Sequence, residues 1–220
     1  MIGAAATSGS RPANGFDPSP VTRYAPRTMN ASPLPSKLAS IRDELNGTTA
    51  RLHRLVGTLD ETTWGRSPAA GKWSAARCIE HLNLTSRAYI PLLRAAFEDA
   101  RAGGILAGNP SLRLDLWGWL LFKAVEPSPR YRMKTPDAFV PPTIEPKDKV
   151  VAEYEGLQRE LVALLEDGAD LALEKIKIVS PFNAQVKYHA YTAFRLIPTH
   201  QRRHLWQAER ALQALATQSR

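Results

Sequence analysis

An all-α four-helix bundle is the fold this sequence predicts, with an extra short helix and a proline-rich strap between the second and third long helices. Three observations predict it. Four long segments repeat apolar residues at spacings of three and four, the period of a helix with one buried stripe. Glycines stand where two of those patterns stop. No ladder of alternating strands competes with them.

The first long helix is expected from about Pro35 to Leu59. Leu38, Ile41, Leu45, Thr48, Leu52, Leu55, Val56 and Leu59 form its stripe, Ser36 is the candidate cap, and Gly47 weakens it by ~1 kcal/mol relative to alanine. The second is expected from Ser74, its cap, to about Ala102, where Gly103-Gly104 ends it. Its inner face reads Cys78, His81, Leu82, Thr85, Tyr89, Leu92 and Ala96, with Pro91 expected to kink it. Trp64 and Trp73 bracket the loop before it and are expected to cap the core. Ser111 to Val125 reads as a shorter apolar helix over the bundle or at a dimer contact. The third long helix is expected from Asp148, as cap, to Asp167, with Gly168 ending it. The last is expected from about Tyr188 to Ala216, with Pro198 bending it one turn before a pair of histidines. Lys175 to Ile178 alternates like a short strand, but partners for it are scarce.

Prolines mark what is not helix. Of the 17, six fall in residues 1–35 and six in residues 126–146. Residues 1–35 are rich in Ala, Ser, Pro and Gly and read as a disordered tail, leaving 36–220 as the bundle domain. The tail lacks the ~7–15-residue apolar core of a secretory signal. Its arginines and scarce acids allow a transit-peptide reading, and Met29 an alternative start; a plain tail is the reading adopted.

Composition removes whole classes of function. The chain has 220 residues, 44% hydrophobic and 23% charged, enough for one domain with a core. Its longest apolar run, Leu116 to Phe122, is far short of the ~20 residues that span a bilayer. The lone cysteine, Cys78, forms no internal disulfide and excludes a cysteine-based zinc site, so a cytoplasmic setting is expected. The net charge of +8 is dispersed: residues 1–41 carry +3, and the rest carries +5 scattered among acids. No basic run is interleaved with aromatics, which argues against a nucleic-acid partner.

The chemistry rests on five histidines, at 53, 81, 189, 200 and 204. His200 and His204 are four apart on a helix, which puts their imidazoles on one face, close enough for one metal ion. His81 points inward from another helix and supplies a third donor. Three neutral imidazoles leave positions open for water or substrate. Three separately satisfied core histidines remain the other reading. His189, eleven residues before His200, lies too far along the helix to join them; His53 reads as a surface residue. Cys78, one turn before His81, is a fourth ligand, a reactive thiol or a small buried hydrophobe, the last being preferred. Arg77 is a candidate for meeting an anionic substrate. Gln207 and Tyr89 are candidates for orienting a ligand imidazole, and Glu80 is expected to point away from the metal. No Ser-His-Asp arrangement, phosphate-binding glycine loop or carboxylate pair identifies a catalytic residue.

Several motifs carry a resemblance. Lys72-Trp73-Ser74-Ala75-Ala76 followed by Glu80-His81-Leu82 resembles the signature opening the second helix of DinB/YfiT-like proteins, and Thr199 to Gln207 resembles their last-helix motif. Met133 to Pro136 through Phe139 and Pro141, and Val179 to Phe182, are similar to intervening segments of one branch. The resemblance covers roughly residues 36–216. It implies a four-helix bundle, often a homodimer, holding a divalent metal, commonly zinc or nickel, on His81, His200 and His204. It also implies a small-molecule substrate. Some relatives transfer low-molecular-weight thiols, such as bacillithiol, mycothiol or glutathione, and one branch isomerises maleylpyruvate. The expectation is a metal-dependent enzyme, either a thiol S-transferase or a hydrolase. The competing expectation is a non-catalytic metal-binding module that is structural and dimeric.

Overall fold

Among the described residues, six α-helices and one hairpin are built from this pattern. In a computed structural model, the described residues are 33–57, 59–108, 112–114, 116–125 and 134–218. The expectations for residues 1–32, and for the strap between 126 and 133, lie outside the described residues. All the described residues belong to one unit, Ala31–Arg220.

The four long helices are α1 (Ser36–Val56), α3 (Ala75–Ala102), α5 (Lys147–Asp167) and α6 (Ala190–Gln218); α2 (Glu61–Gly65) and α4 (Leu116–Val125) are short. α1 and α3 each pack against both α5 and α6, which gives the square cross-section of a bundle, and α4 lies against α6. Both internal prolines, Pro91 and Pro198, sit inside continuous helices, α3 and α6.

The predicted caps hold at one site and fail at two. Ser74 caps α3 as expected, its hydroxyl accepting from the Arg77 amide at 3.2 Å. Ser36 and Asp148 cap nothing: Pro35 and Pro146 occupy the capping positions, without side-chain hydrogen bonds. The first amide of α5 instead donates to the Glu61 carboxylate from α2, at 3.1 Å. A tertiary contact thus replaces the local cap, because Pro146 has no capping side chain.

The strand partner that the sequence left scarce exists. β1 (Lys177–Ser180) pairs antiparallel with β2 (Asn183–His189), in the register Ile178 to Tyr188, with an irregularity between Val179 and Ser180. Ile178 and Tyr188 face the core, and the turn between the strands holds Phe182. The last helix therefore starts at Ala190, and His189 ends a strand rather than lying on the helix face with His200.

The core is divided. One apolar cluster gathers Leu38, Ile41 and Leu45 of α1, Ile90 to Ala100 of α3, Leu161 to Leu165 of α5, and Ala190 to Ile197 of α6. A second gathers Leu52 and Val56, Ala75 to Leu82, Val150 and Tyr154, and Leu205 and Ala208. Between them every long helix contributes polar groups: Thr48, Thr85, Gln158, and Gln201 with its neighbouring histidines. Trp64 is buried in the second cluster as the sequence suggested, whereas Trp73 is only partly buried.

Candidate metal centre

The polar stratum brings His81, His200 and His204 together. One ring nitrogen of each lies within 4.8 Å of the others. Ring centroids are separated by 4.4 Å (His81 to His204), 4.5 Å (His200 to His204) and 5.0 Å (His81 to His200). Spacing on α6 sets the last pair, and the packing of α3 on α6 brings His81 to it. His81 and His204 are buried, and His200 is partly exposed.

Each ring has a distinct setting. The Nδ1–H of His81 donates to the Phe139 carbonyl at 2.7 Å. A carbonyl only accepts, so Nδ1 holds the proton and Nε2 is left as a bare lone pair. That Nε2 stands 3.3 Å from Nε2 of His200. Either a proton on His200 or a shared cation satisfies this contact. Two imidazole nitrogens on one tetrahedral zinc, each ~2.0–2.1 Å away, stand about 3.3–3.4 Å apart. His204 Nδ1 is buried without a hydrogen bond among the described residues. Gln207 approaches His204 and favours its charged form, but makes no bond of ordinary geometry to that nitrogen.

The electrostatics favour neutral rings. Burial pushes the His81 pKa down. Burial, then the neighbouring imidazoles and Arg203, push His200 and His204 well below the ordinary imidazole range. Neutral imidazole is the form that ligates. A close inward pair, an unpaired buried nitrogen and an all-imidazole donor set therefore fit a divalent ion, and the three histidines could hold one.

Aromatic side chains wall the cluster. Trp73 lies 5.2 Å from His81 and stacks on His204 at 5.9 Å. Phe182, delivered by the hairpin turn, lies 5.9 Å from His200 and 4.6 Å from Phe139. Sequence reasoning missed both Phe139 and Phe182 as neighbours of the cluster, since hairpin and strap place them by tertiary packing alone.

The remaining candidates separate from the cluster. Cys78 is fully buried and is not among the gathered donors; desolvation pushes its thiol up to about 12, so it is the inert buried hydrophobe that was preferred. His53 is exposed and pairs with Glu155 at 2.7 Å. His189 does not join the gathered donors. Tyr89 bonds Tyr188 at 2.7 Å rather than an imidazole. Arg77 is partly exposed near Trp73, beside a surface hollow lined by Lys72 and Gly71. Glu80 points away from the cluster as expected, but not to water: it is buried and accepts the Glu145 amide at 2.6 Å.

Four long helices packed as a bundle, with three histidines gathered closely enough to hold a metal ion, define a class, the helical bundles with a candidate metal site. The chain belongs to the DinB superfamily, whose family model matches residues 44–208. No curated protein and no solved structure matches the chain. Among the described residues, no helix is long and apolar enough to cross a membrane.

Proposed function

We propose that the protein is a metal-dependent enzyme whose divalent ion, zinc or nickel, is held by His81, His200 and His204. The observation that carries this reading is the gathering of three imidazoles with no fourth His, Cys, Asp or Glu donor among the described residues. A tetrahedral structural site is closed by four protein ligands, whereas three leave a position for reaction. A divalent ion there supplies Lewis acidity, either lowering the pKa of a bound water towards ~7 or binding a thiolate. The chain's own residues then hold and orient the centre. His81 is fixed by Phe139, while Trp73 and Phe182 flank the rings on two sides.

Thiol transfer to a small electrophilic molecule is favoured over hydrolysis. Among the described residues, no carboxylate or further histidine joins the three rings to act as a base for water. A cytoplasmic homodimer using a low-molecular-weight thiol completes the proposal.

A second reading has its own support: the cluster ties α3 to α6 with two of its rings buried, as a structural staple would. Elemental analysis of untagged protein, followed by thiol and electrophile screening, separates the two. A loaded ion and turnover that both vanish in His204→Ala support the enzyme. Chelation that lowers the melting temperature, with no turnover in any screen, favours the staple. Full wild-type metal content in His204→Ala refutes the site.

A further inference from the structure

The strap touches α3 at two consecutive residues. His81 donates to Phe139, and Glu80 accepts from Glu145, six residues further along the strap. The backbone of Glu145 is gripped from both sides. Its amide goes to Glu80 at 2.6 Å, and its carbonyl accepts the Trp64 indole N–H at 3.2 Å. Glu61 takes the Lys147 amide just beyond. Pro141, Pro142 and Pro146 stiffen the segment between and after these anchors. A carboxylate is costly to bury unless it is bonded, and Glu80 makes that bond to the strap.

We propose that Glu80 and Trp64 are positioning residues for His81: by gripping Glu145 they hold the strap on α3, so that the Phe139 carbonyl keeps His81 protonated on Nδ1 with Nε2 bare towards His200. The Phe139 ring also backs Phe182, which in turn packs near His200, so the same anchor supports a second ring of the cluster. Without the grip on Glu145, Phe139 keeps only its packing and its own turn, and its carbonyl is free to leave His81. The purpose of the device rests on the metal reading above; its geometry does not.

The test uses the metal-free full chain with 15N-labelled imidazoles, at about pH 8, above the ordinary imidazole pKa of roughly 6.5. Wild type shows His81, assigned by loss of its signals in His81→Asn, as a single tautomer protonated on Nδ1. Glu80→Ala yields a tautomer mixture, and Glu80→Gln, which keeps the accepting oxygen, restores the single form. Trp64→Phe, which removes the N–H and keeps an aromatic ring, shifts His81 in the same direction and serves should Glu80→Ala not fold. Leu165→Ala, a buried site in the other apolar cluster, lowers the melting temperature yet leaves the tautomer alone. A single Nδ1–H tautomer persisting in folded Glu80→Ala or Trp64→Phe overturns the proposal, as does an equal mixture in Leu165→Ala. Cobalt(II) titration adds a second readout, with affinity falling about 10–100-fold in Glu80→Ala and recovering in Glu80→Gln. Wild type that takes up no cobalt refutes the metal reading and leaves the tautomer result standing.

Discussion

Replacing Thr48 by valine keeps the shape of a buried side chain and removes one hydroxyl. That hydroxyl is the hub of the polar stratum. It lies 2.7 Å from the Leu45 carbonyl and 2.8 Å from Gln201 Oε1, and it accepts from Tyr154 at 3.1 Å and from Gln158 at 3.1 Å. Gln158 Nε2 keeps the Leu45 carbonyl at 2.9 Å when the hydroxyl is gone. Gln201 Oε1 and the Tyr154 hydroxyl keep no partner among the described residues. Each buried neutral group left unpaired costs ~1–3 kcal/mol, and the added methyl returns ~0.8 kcal/mol, so the two orphaned groups put the cost of Thr48→Val at about 1–5 kcal/mol. For a domain of this size that lowers the melting temperature by roughly 2–20 °C. Denaturant unfolding followed by circular dichroism measures it. A double-mutant cycle sharpens it: Tyr154→Phe destabilises wild type but stabilises the Thr48→Val background, where it removes an orphaned phenol. A cost below about 0.5 kcal/mol for Thr48→Val, or the same sign for Tyr154→Phe in both backgrounds, refutes the network.

Other expectations follow from single sites. Gly168→Ala sets a Cβ 2.7 Å from two ring atoms of the fully buried Phe97 and 3.2 Å from Leu173; such overpacking costs ~1–3 kcal/mol, and thermal melts read it. Cys78, the lone thiol, resists alkylation in the native protein at about pH 8 and reacts on unfolding; native labelling at the free-thiol rate would contradict its burial. Its raised pKa also sets a sign: between the unfolded value of ~8.5 and the folded value of about 12, only the unfolded state loses the proton, so stability falls as pH rises through that window. Cys78→Ala removes this slope, and a slope unchanged in that variant assigns it to other groups. The exposed His53–Glu155 pair contributes little, so His53→Ala shifts the melting temperature by at most a degree or two.

What the sequence made legible was whatever depended on local periodicity. The stripes of α1, α3, α5 and α6 and the cap at Ser74 follow from residues within a few positions of one another. His200 and His204 follow from the same logic, and His81 was recognisable because an inward imidazole needs a partner. Tertiary choices were not legible. Glu61 caps α5 from across the chain, Trp64 and Glu80 clasp the backbone of a single residue, Glu145, and the hairpin finds its second strand in residues that run into the start of a helix. Tyr188 illustrates the difficulty: it carries an apolar ring at a position compatible with the helical period, and pairing with Ile178 in the core decides for the strand.

The polar stratum itself argues for where function lies. Polar groups at mid-bundle are expensive unless they are satisfied, and the two sides of this layer are satisfied to different degrees. On the side of α1 and α5, Thr48, Tyr154, Gln158 and Gln201 close upon one another, down to a 2.6 Å bond between the two glutamines. That half needs no ligand and reads as a register device for α1, α5 and α6. On the side of α3, bonding capacity is left over. His204 Nδ1 is buried and unpaired, and the bare Nε2 of His81 faces another imidazole. Gln201 sits beside His200 in the chain, so one turn of α6 carries both halves: a closed network holds the helix while the open one presents its rings. Leaving one half unsatisfied costs stability, and a cation held by the three histidines would offset that cost at the ring nitrogens it binds.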